Sequence, residues 1–278
     1  MQLARCPLLI TLLGTALAAV AAAPEKPANP AAQLAQYARA LREQPTGAAY
    51  TRLELFAEQE RGSELGARAA LALGLVDFER KRWARAQEHF THAGLSQLLG
   101  DYGDWYLART LVERGALEAA LEQFEDFPRR HPQSRLREDV LVEQAALLVR
   151  LARAEAAKTL LTAQPDWQQC PPLLLALAQA LVANGELEAA AKILQRIYYE
   201  FPLSPQAEPS NQLLNELRPQ LGPHYPIPSE ALRNTRAQRL WAVQAYQGAR
   251  SAYVDLSVRA SEPTRQLARL RAAQAFYH

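Results

Sequence analysis

The sequence contains two similar stretches that decide its fold, "GALEAALEQFEDFPRRHPQS" at residues 115–134 and "GELEAAAKILQRIYYEFPLS" at residues 185–204. Both begin with glycine, continue into Leu-Glu-Ala-Ala and end in Pro-x-Ser, and they are offset by 70 residues. Half of that offset is close to the ~34-residue length of a repeated helical hairpin. The chain is therefore predicted to repeat a unit of two helices.

The half-length step is visible upstream as a set of residues that recurs 34 positions later: Trp83, Ala86 and Phe90 recur as Leu117, Ala120 and Phe124. Residues four apart on a helix share a face, so each alanine and the large residue after it point the same way. Further pairs of this kind are Ala157 and Leu161, Ala190 and Leu194, and Ala249 and Tyr253. In each pair, the first helix carries a small residue at the point where the second helix crosses it. These residues are Gly74, Ala108 and Ala178. This spacing resembles the tetratricopeptide repeat, and it predicts an all-α, right-handed superhelical solenoid.

The turns inside these hairpins carry a glycine where a helix would end. Gly115 follows Arg114, and Gly185 follows Asn184. Glycine readily adopts the left-handed conformation that ends a helix. No stretch shows the sustained period-two alternation of a half-buried strand, so no sheet is predicted.

The first 23 residues have the order of a secretory signal peptide. Arg5 lies in a short polar head, an apolar run follows at residues 7–23, and a polar, proline-bearing segment begins at Pro24. Cleavage is expected after Ala21 or Ala23, and a proline directly after the second cut favours Ala21. No later segment reaches the ~20 apolar residues that span a bilayer. We therefore expect a periplasmic or otherwise exported protein with no membrane span after cleavage.

The remaining chain divides by pattern into four parts. These are amino-terminal helices at residues 24–62, tetratricopeptide-like repeats at 63–204, a proline-rich connector with one short helix (206–217) at 205–228, and a further helical repeat at 229–278. A last helix is expected after Ser261, from Glu262 to the end. It would leave an uncapped apolar edge, formed by Leu267, Leu270, Ala273 and Phe276. Because a solenoid needs a cap at each end, we expect the natural product to continue past His278 or another surface to cover this edge.

The overall charge gives no support for nucleic-acid binding. Lys plus Arg number 31 against 29 Asp plus Glu, a net charge of +2. The last fifty residues are richer in arginine: Arg233, Arg236, Arg239, Arg250, Arg259, Arg265, Arg269 and Arg271. Either these form a local basic surface or, as is commoner, they lie on solvated helix faces.

The sequence offers no motif for catalysis or for a cofactor. His89 and His92 could be two metal ligands on one helix, but a third ligand at fixed spacing is missing. Phosphate-binding glycine loops and Gly-x-Ser-x-Gly are also missing. Cys170 is the only cysteine after the leader, so no internal disulfide forms. We predict no catalytic residue, cofactor or metal.

Aromatic residues supply the candidate surface. Tyr198 and Tyr199 are adjacent, so on a helix they point about 100° apart. Trp105 and Tyr106 do the same. An exposed ring could stack on a sugar or a peptide side chain, but filling the seam between repeats is the favoured interpretation. The candidate ligand or partner surface comprises Tyr102, Trp105, Tyr198, Tyr199, Arg233, Arg236 and Arg239.

Three motifs carry a family resemblance: "DYGDWYLA" at residues 101–108, "IYYEFPLSPQAE" at 197–208 and "RAQRLWAVQAYQGA" at 236–249. With the leader and the helical repeats, they resemble the amino-terminal superhelical region of bacterial soluble lytic transglycosylases. In that family a lysozyme-like domain follows and cleaves peptidoglycan with one glutamate. Its Glu-Ser and Gly-Leu-Met-Gln motifs do not occur here, and Met1 is the only methionine.

The resemblance therefore implies a scaffold and no activity in this chain. Such a scaffold would position a covalently following catalytic domain and contact peptidoglycan glycan or peptide stems. The alternative is a free-standing tetratricopeptide-like adaptor that binds proteins in a cell-envelope assembly.

Overall fold

The protein is described here by a computed structural model that covers residues 29–277, and all of its regular structure is helical. Within this range the α-helices are α1 (Pro30–Glu43), α2 (Gly47–Gln59), α3 (Glu64–Glu79), α4 (Trp83–Ala93), α5 (Gly100–Glu113), α6 (Leu117–Arg130), α7 (Arg137–Arg150), α8 (Ala154–Thr162), α9 (Pro171–Ala183), α10 (Leu187–Glu200), α11 (Ala207–Leu221), α12 (Glu230–Ala242), α13 (Tyr246–Arg259) and α14 (Thr264–Gln274). The all-α prediction is confirmed. The predicted signal peptide lies outside the described residues.

The helices pack as consecutive antiparallel hairpins. The pairs α3 with α4, α5 with α6, α7 with α8, α9 with α10, and α12 with α13 each form one unit. The second helix of a unit also packs against the next helix along the chain, as α4 does on α5 and α10 on α11. Each hairpin thus buries the apolar face of its neighbour, which is the packing of a solenoid.

The predicted crossing positions lie at the centre of these hairpins. Their alanines are completely buried: Ala86, Ala120, Ala157, Ala190 and Ala249. A Cβ atom added to Gly74 would lie 2.6 Å from a ring carbon of Phe90, so the missing side chain is what admits the phenylalanine. Fully burying one such large side chain stabilises the fold by about 1.5–3 kcal/mol.

Every hairpin turn between paired helices contains one residue in the left-handed conformation. Gly115 and Gly185 both have φ of 78°, as the sequence predicted. The other three turns place Lys81, Ala152 and Gln244 there, with φ of 57°, 57° and 60°. The repeat therefore keeps the turn geometry even where it lacks the glycine.

Three apolar clusters form among the described residues. An amino-terminal cluster joins α1 to α3, a continuous central core joins α5 to α11, and a separate carboxy-terminal core joins α12 to α14. Between the first two, Tyr106 stacks on Phe90 with ring centroids 5.2 Å apart. The domain boundaries drawn from the sequence stay a prediction.

The proline-rich connector holds a longer helix than the sequence indicated. The predicted short helix ended at residue 217, whereas α11 runs to Leu221 and contains Pro219. Pro209 lies in the first turn, where an amide has no intrahelical partner in any case. Burial of Leu214 and Leu217 in the central core stabilises the helix around these prolines.

The last helix is shorter than expected, because α14 ends at Gln274 and not at the end of the chain. Ala268 packs into the carboxy-terminal core. Leu267, Leu270 and Phe276 are 51%, 55% and 65% exposed, so the apolar edge expected from the sequence is present. Within the described residues, no helix combines the length and the apolar character needed to cross a bilayer.

Candidate binding site

The junction between α10 and α12 is held by arginines. Arg236 Nη1 donates a hydrogen bond to the Tyr198 carbonyl oxygen at 2.6 Å, and Arg239 donates to the Glu200 carbonyl oxygen. Both carbonyls belong to the last turn of α10, where they have no intrahelical donor. The two cations therefore cap the carboxy-terminal end of α10, and they stabilise the helix by lying at the negative end of its dipole.

Arginines of α12 also cover the two tyrosines that follow Ile197. The Arg236 guanidinium carbon lies 3.7 Å from the ring centroid of Tyr198, and that of Arg233 lies 5.9 Å from the ring of Tyr199. Such cation–π contacts are worth about 0.5–2 kcal/mol. The seam interpretation of the paired tyrosines is therefore the one that the geometry favours.

Arg233 is the most enclosed of the arginines, with 9% of its surface exposed. Its Nη1 donates to Asp255 Oδ2 at 2.5 Å, and its Nε donates to the Pro228 carbonyl oxygen at 3.3 Å. The other carboxylate oxygen of Asp255 accepts from Arg259 Nε at 2.9 Å. These partners offset the cost of removing the guanidinium from water. Because Arg233 is buried, the expectation that these arginines lie on solvated helix faces is wrong for this residue.

An open cleft of about 660 Å³ lies at this junction, between α10, α11, α12 and α13. We call it the junction cleft. Its charged lining consists of four arginines and one carboxylate: Arg218, Arg233, Arg236, Arg259 and Asp255. Three tyrosines also line it: Tyr198, Tyr199 and Tyr225. The cleft thus holds three more positive than negative charges.

The phenol groups of the cleft are hydrogen-bond donors. Burial raises the pKa of Tyr199, which keeps its hydroxyl protonated at neutral pH. Among residues 29–277, none of the three tyrosine hydroxyls in the cleft has a hydrogen-bond partner. The cleft therefore presents guanidinium and phenol donors to whatever enters it, an arrangement that suits anionic acceptors.

The structure brings together four of the seven predicted surface residues in this cleft, namely Tyr198, Tyr199, Arg233 and Arg236. Arg239 caps α10 next to it. Tyr102 and Trp105 lie on α5, away from the cleft, where Tyr102 is 40% exposed.

The ring of Trp105 is covered by Arg109, whose guanidinium carbon lies 4.9 Å from the ring centroid. Arg109 also lies 3.4 Å from Glu143 on α7. Trp105 therefore belongs to a seam between helices and offers no open stacking face on that side.

Sequence reasoning missed Arg218 and Tyr225 as lining residues. Both lie in the segment interpreted as a connector, and the Arg218 guanidinium carbon lies 4.9 Å from the ring centroid of Tyr225. The repeat pattern contains no signal for them, because α11 and the segment after it have no second helix to form a hairpin.

A second polar cluster lies near the amino terminus. Tyr50 donates to Asp77 Oδ2 at 2.6 Å, and the His89 ring nitrogen lies 3.0 Å from the Tyr50 oxygen. Burial lowers the pKa of His89. His89 borders a groove of about 960 Å³ between α2 and α4. Within the described residues, no group of three or more His, Cys, Asp or Glu side chains could hold a metal ion.

Comparison with known proteins supports the fold. The structure resembles the crystal structure of a tetratricopeptide repeat protein from Parabacteroides merdae, with a TM-score of 0.57 and 13% identity over 88% of this chain and 98% of that one. It also matches the assembly chaperone of RpL4 (Acl4, residues 1–338), with 18% identity over 90% and 96% of the chains, but at a TM-score of 0.30, from which we conclude nothing. No protein-family model and no curated protein matches the sequence. The chain therefore has a tetratricopeptide-like helical repeat fold.

Proposed function

We propose that this chain is a non-catalytic, exported scaffold that binds another protein through its helical repeats and the junction cleft. The observation that carries the proposal is the cleft itself, an open cavity of about 660 Å³ whose charged and polar lining consists largely of guanidinium and phenol groups. Most of this lining lies on helices α10 to α13, and arginine and tyrosine are enriched among the residues that contribute most to protein binding.

The chemistry of the cleft favours binding over catalysis. A general base must be free to take a proton within hydrogen-bond reach of its substrate. Asp255, the carboxylate of the cleft, already accepts hydrogen bonds from Arg233 and Arg259. Guanidinium groups stay protonated at neutral pH, so they bind anions and do not act as general bases.

Export is proposed from the leader pattern of residues 1–23. Fractionation of cells that produce the full chain with a carboxy-terminal tag tests it. We expect the protein in the periplasmic or secreted fraction, with its new amino terminus near residues 22–24. A cytoplasmic protein that keeps Met1 would contradict export.

A second candidate is the superhelical part of a peptidoglycan lytic transglycosylase, which would position a lytic domain. The "IYYEFPLSPQAE" stretch favours it through the family resemblance, and the exposed Leu267 and Leu270 of α14 offer a surface that such a domain could cover. Sedimentation with isolated sacculi tests contact with glycan or peptide stems. Release of soluble fragments from sacculi by the purified chain would contradict a non-catalytic role.

Site-directed photo-cross-linking tests protein binding at the cleft. A photoreactive phenylalanine analogue replaces Tyr199, which lines the cleft, or Leu203, which is 59% exposed and does not line it. We expect a cross-link to a defined partner from position 199 and not from position 203. Identical products from both positions, or no product from position 199, would overturn the proposal.

A further inference from the structure

We propose that the junction cleft binds an acidic segment of a partner protein, with aspartate or glutamate carboxylates inserted among its arginines. This inference rests on the proposed protein-binding function and specifies its ligand. It goes beyond the fold, since nothing in the repeat pattern requires an arginine-rich cavity at this junction.

The first argument is charge. Arg233 and Arg259 share Asp255, which neutralises one of them. Arg218 and Arg236 have no carboxylate partner among residues 29–277. A cleft with three uncompensated positive charges attracts a ligand that carries several negative charges.

The second argument is the orientation of the free donors. The Arg218 guanidinium lies over the ring of Tyr225, with its carbon 4.9 Å from the ring centroid, and this guanidinium makes no hydrogen bond among the described residues. The contact with the ring restricts the guanidinium, while its N–H groups have no hydrogen-bond partner among the described residues. A restricted guanidinium edge matches the two oxygens of a carboxylate, which it binds with paired hydrogen bonds.

The third argument favours a polypeptide over a nucleic acid. The protein as a whole has a net charge of only +2, which provides little attraction for a phosphate chain. Asn211 and Ser251 also line the cleft and can accept hydrogen bonds from peptide N–H groups. A volume of about 660 Å³ accommodates a few side chains.

Fluorescence anisotropy with labelled peptides tests the inference. The probes are a twelve-residue peptide rich in Asp and Glu, the same peptide with Asn and Gln in their place, and a soluble peptidoglycan stem peptide. We expect the acidic peptide to bind, the amide version to bind at least tenfold more weakly, and added salt to weaken the acidic complex. Stronger binding of the stem peptide than of the acidic peptide would overturn the proposal.

Variants locate the binding. Arg218→Gln removes a guanidinium whose contact among the described residues is with the ring of Tyr225, and we expect about tenfold weaker binding, which corresponds to about 1.4 kcal/mol. Tyr199→Phe removes one hydroxyl and should weaken binding about threefold. Arg269→Gln removes an exposed charge on α14 outside the cleft and should change nothing beyond experimental error.

Circular dichroism establishes that each variant is folded. Equal affinities for the wild type, Arg218→Gln and Arg269→Gln would place acidic-peptide binding elsewhere and overturn the inference. If the cross-link from position 199 forms but the acidic peptide does not bind, the protein-binding function stands and the proposed ligand chemistry is wrong.

Discussion

In the central core, neighbouring helices are joined by apolar contacts. At the junction between α10 and α12, they are joined by polar contacts. Within the central core, α5 to α11 share one apolar cluster that includes Phe124, Leu161 and Leu194. At the junction, Arg236 and Arg239 bind main-chain carbonyls, and Arg233 binds a carboxylate. The carboxy-terminal core of α12 to α14 is separate.

This difference shows where a repeat protein can accommodate a ligand. An apolar seam excludes water, whereas the polar seam leaves an open cavity with free guanidinium and phenol groups. A polar seam also holds the helices together less strongly, because hydrogen bonds contribute only ~0.5–1.5 kcal/mol net each. The continuous apolar core and the proposed binding site therefore lie in different parts of the chain.

The largest expected effect is in the central core. Phe124 is 1% exposed, so Phe124→Ala should lower the free energy of unfolding by about 3–5 kcal/mol through lost burial and a cavity. Urea denaturation followed by circular dichroism measures it. Leu95→Ala, at a side chain 73% exposed, is the control and should cost less than about 0.5 kcal/mol. Equal losses of stability for the two variants would contradict the placement of Phe124 in a tightly packed core.

A smaller effect is expected at the junction. Arg236→Ala removes one hydrogen bond and one cation–π contact, and it should cost about 1–2 kcal/mol. The loss should appear as faster hydrogen exchange in α12 to α14, with α5 to α9 unchanged. Arg250→Ala removes only a stack on the exposed Phe276 and serves as the control. Uniform loss of protection throughout α5 to α14 would show that the junction is not a boundary.

Two substitutions in the hairpin turns are expected to change the stability of the protein in opposite directions. A left-handed non-glycine residue costs roughly 1–2 kcal/mol, partly offset by the greater entropy that glycine loses on folding. Ala152→Gly should therefore stabilise the protein by about 0.5–1 kcal/mol, and Gly115→Ala should destabilise it by a similar amount. Thermal unfolding measures both. A destabilising Ala152→Gly would mean that the turn geometry is not shared.

The smallest effect concerns pH at the amino-terminal polar cluster. Burial lowers the pKa of His89 below its ordinary value of about 6.5. Above that pH, the folded and unfolded states are both neutral at this residue. Below it, the unfolded chain takes up protons that the folded protein does not, so stability falls as the pH drops from 7 toward 5.

His89→Gln should reduce this fall without abolishing it, because burial lowers the pKa of His92 in the same direction. Urea midpoints at pH 7, 6 and 5 measure the slope. A slope that is unchanged in the variant would exclude His89 as a source of the pH dependence.

The repeat pattern predicted the central region well, because a solenoid places the same residue type in the same environment at each step. Ala120 and Ala190 were expected at helix crossings and are fully buried. Gly115 was expected to be left-handed and has φ of 78°. Ala152 was not expected to be left-handed, since no sequence pattern marks an alanine in that conformation.

The junction was harder to predict because it breaks the repeat. Tyr198, Arg233 and Arg236 were identified by residue type, but their mutual contacts depend on how α12 crosses the end of α10. Arg218 and Tyr225 come from a proline-rich segment whose path is set by tertiary packing. Periodicity describes neighbouring hairpins and contains no information about such a crossing.

Native-state hydrogen exchange of the wild-type protein tests the central claim most directly. If the apolar core and the polar junction differ as described, amides of α5 to α10 will share the highest protection, and those of α12 to α14 will exchange together at a distinctly lower free energy. A single exchange free energy across both regions would contradict the account.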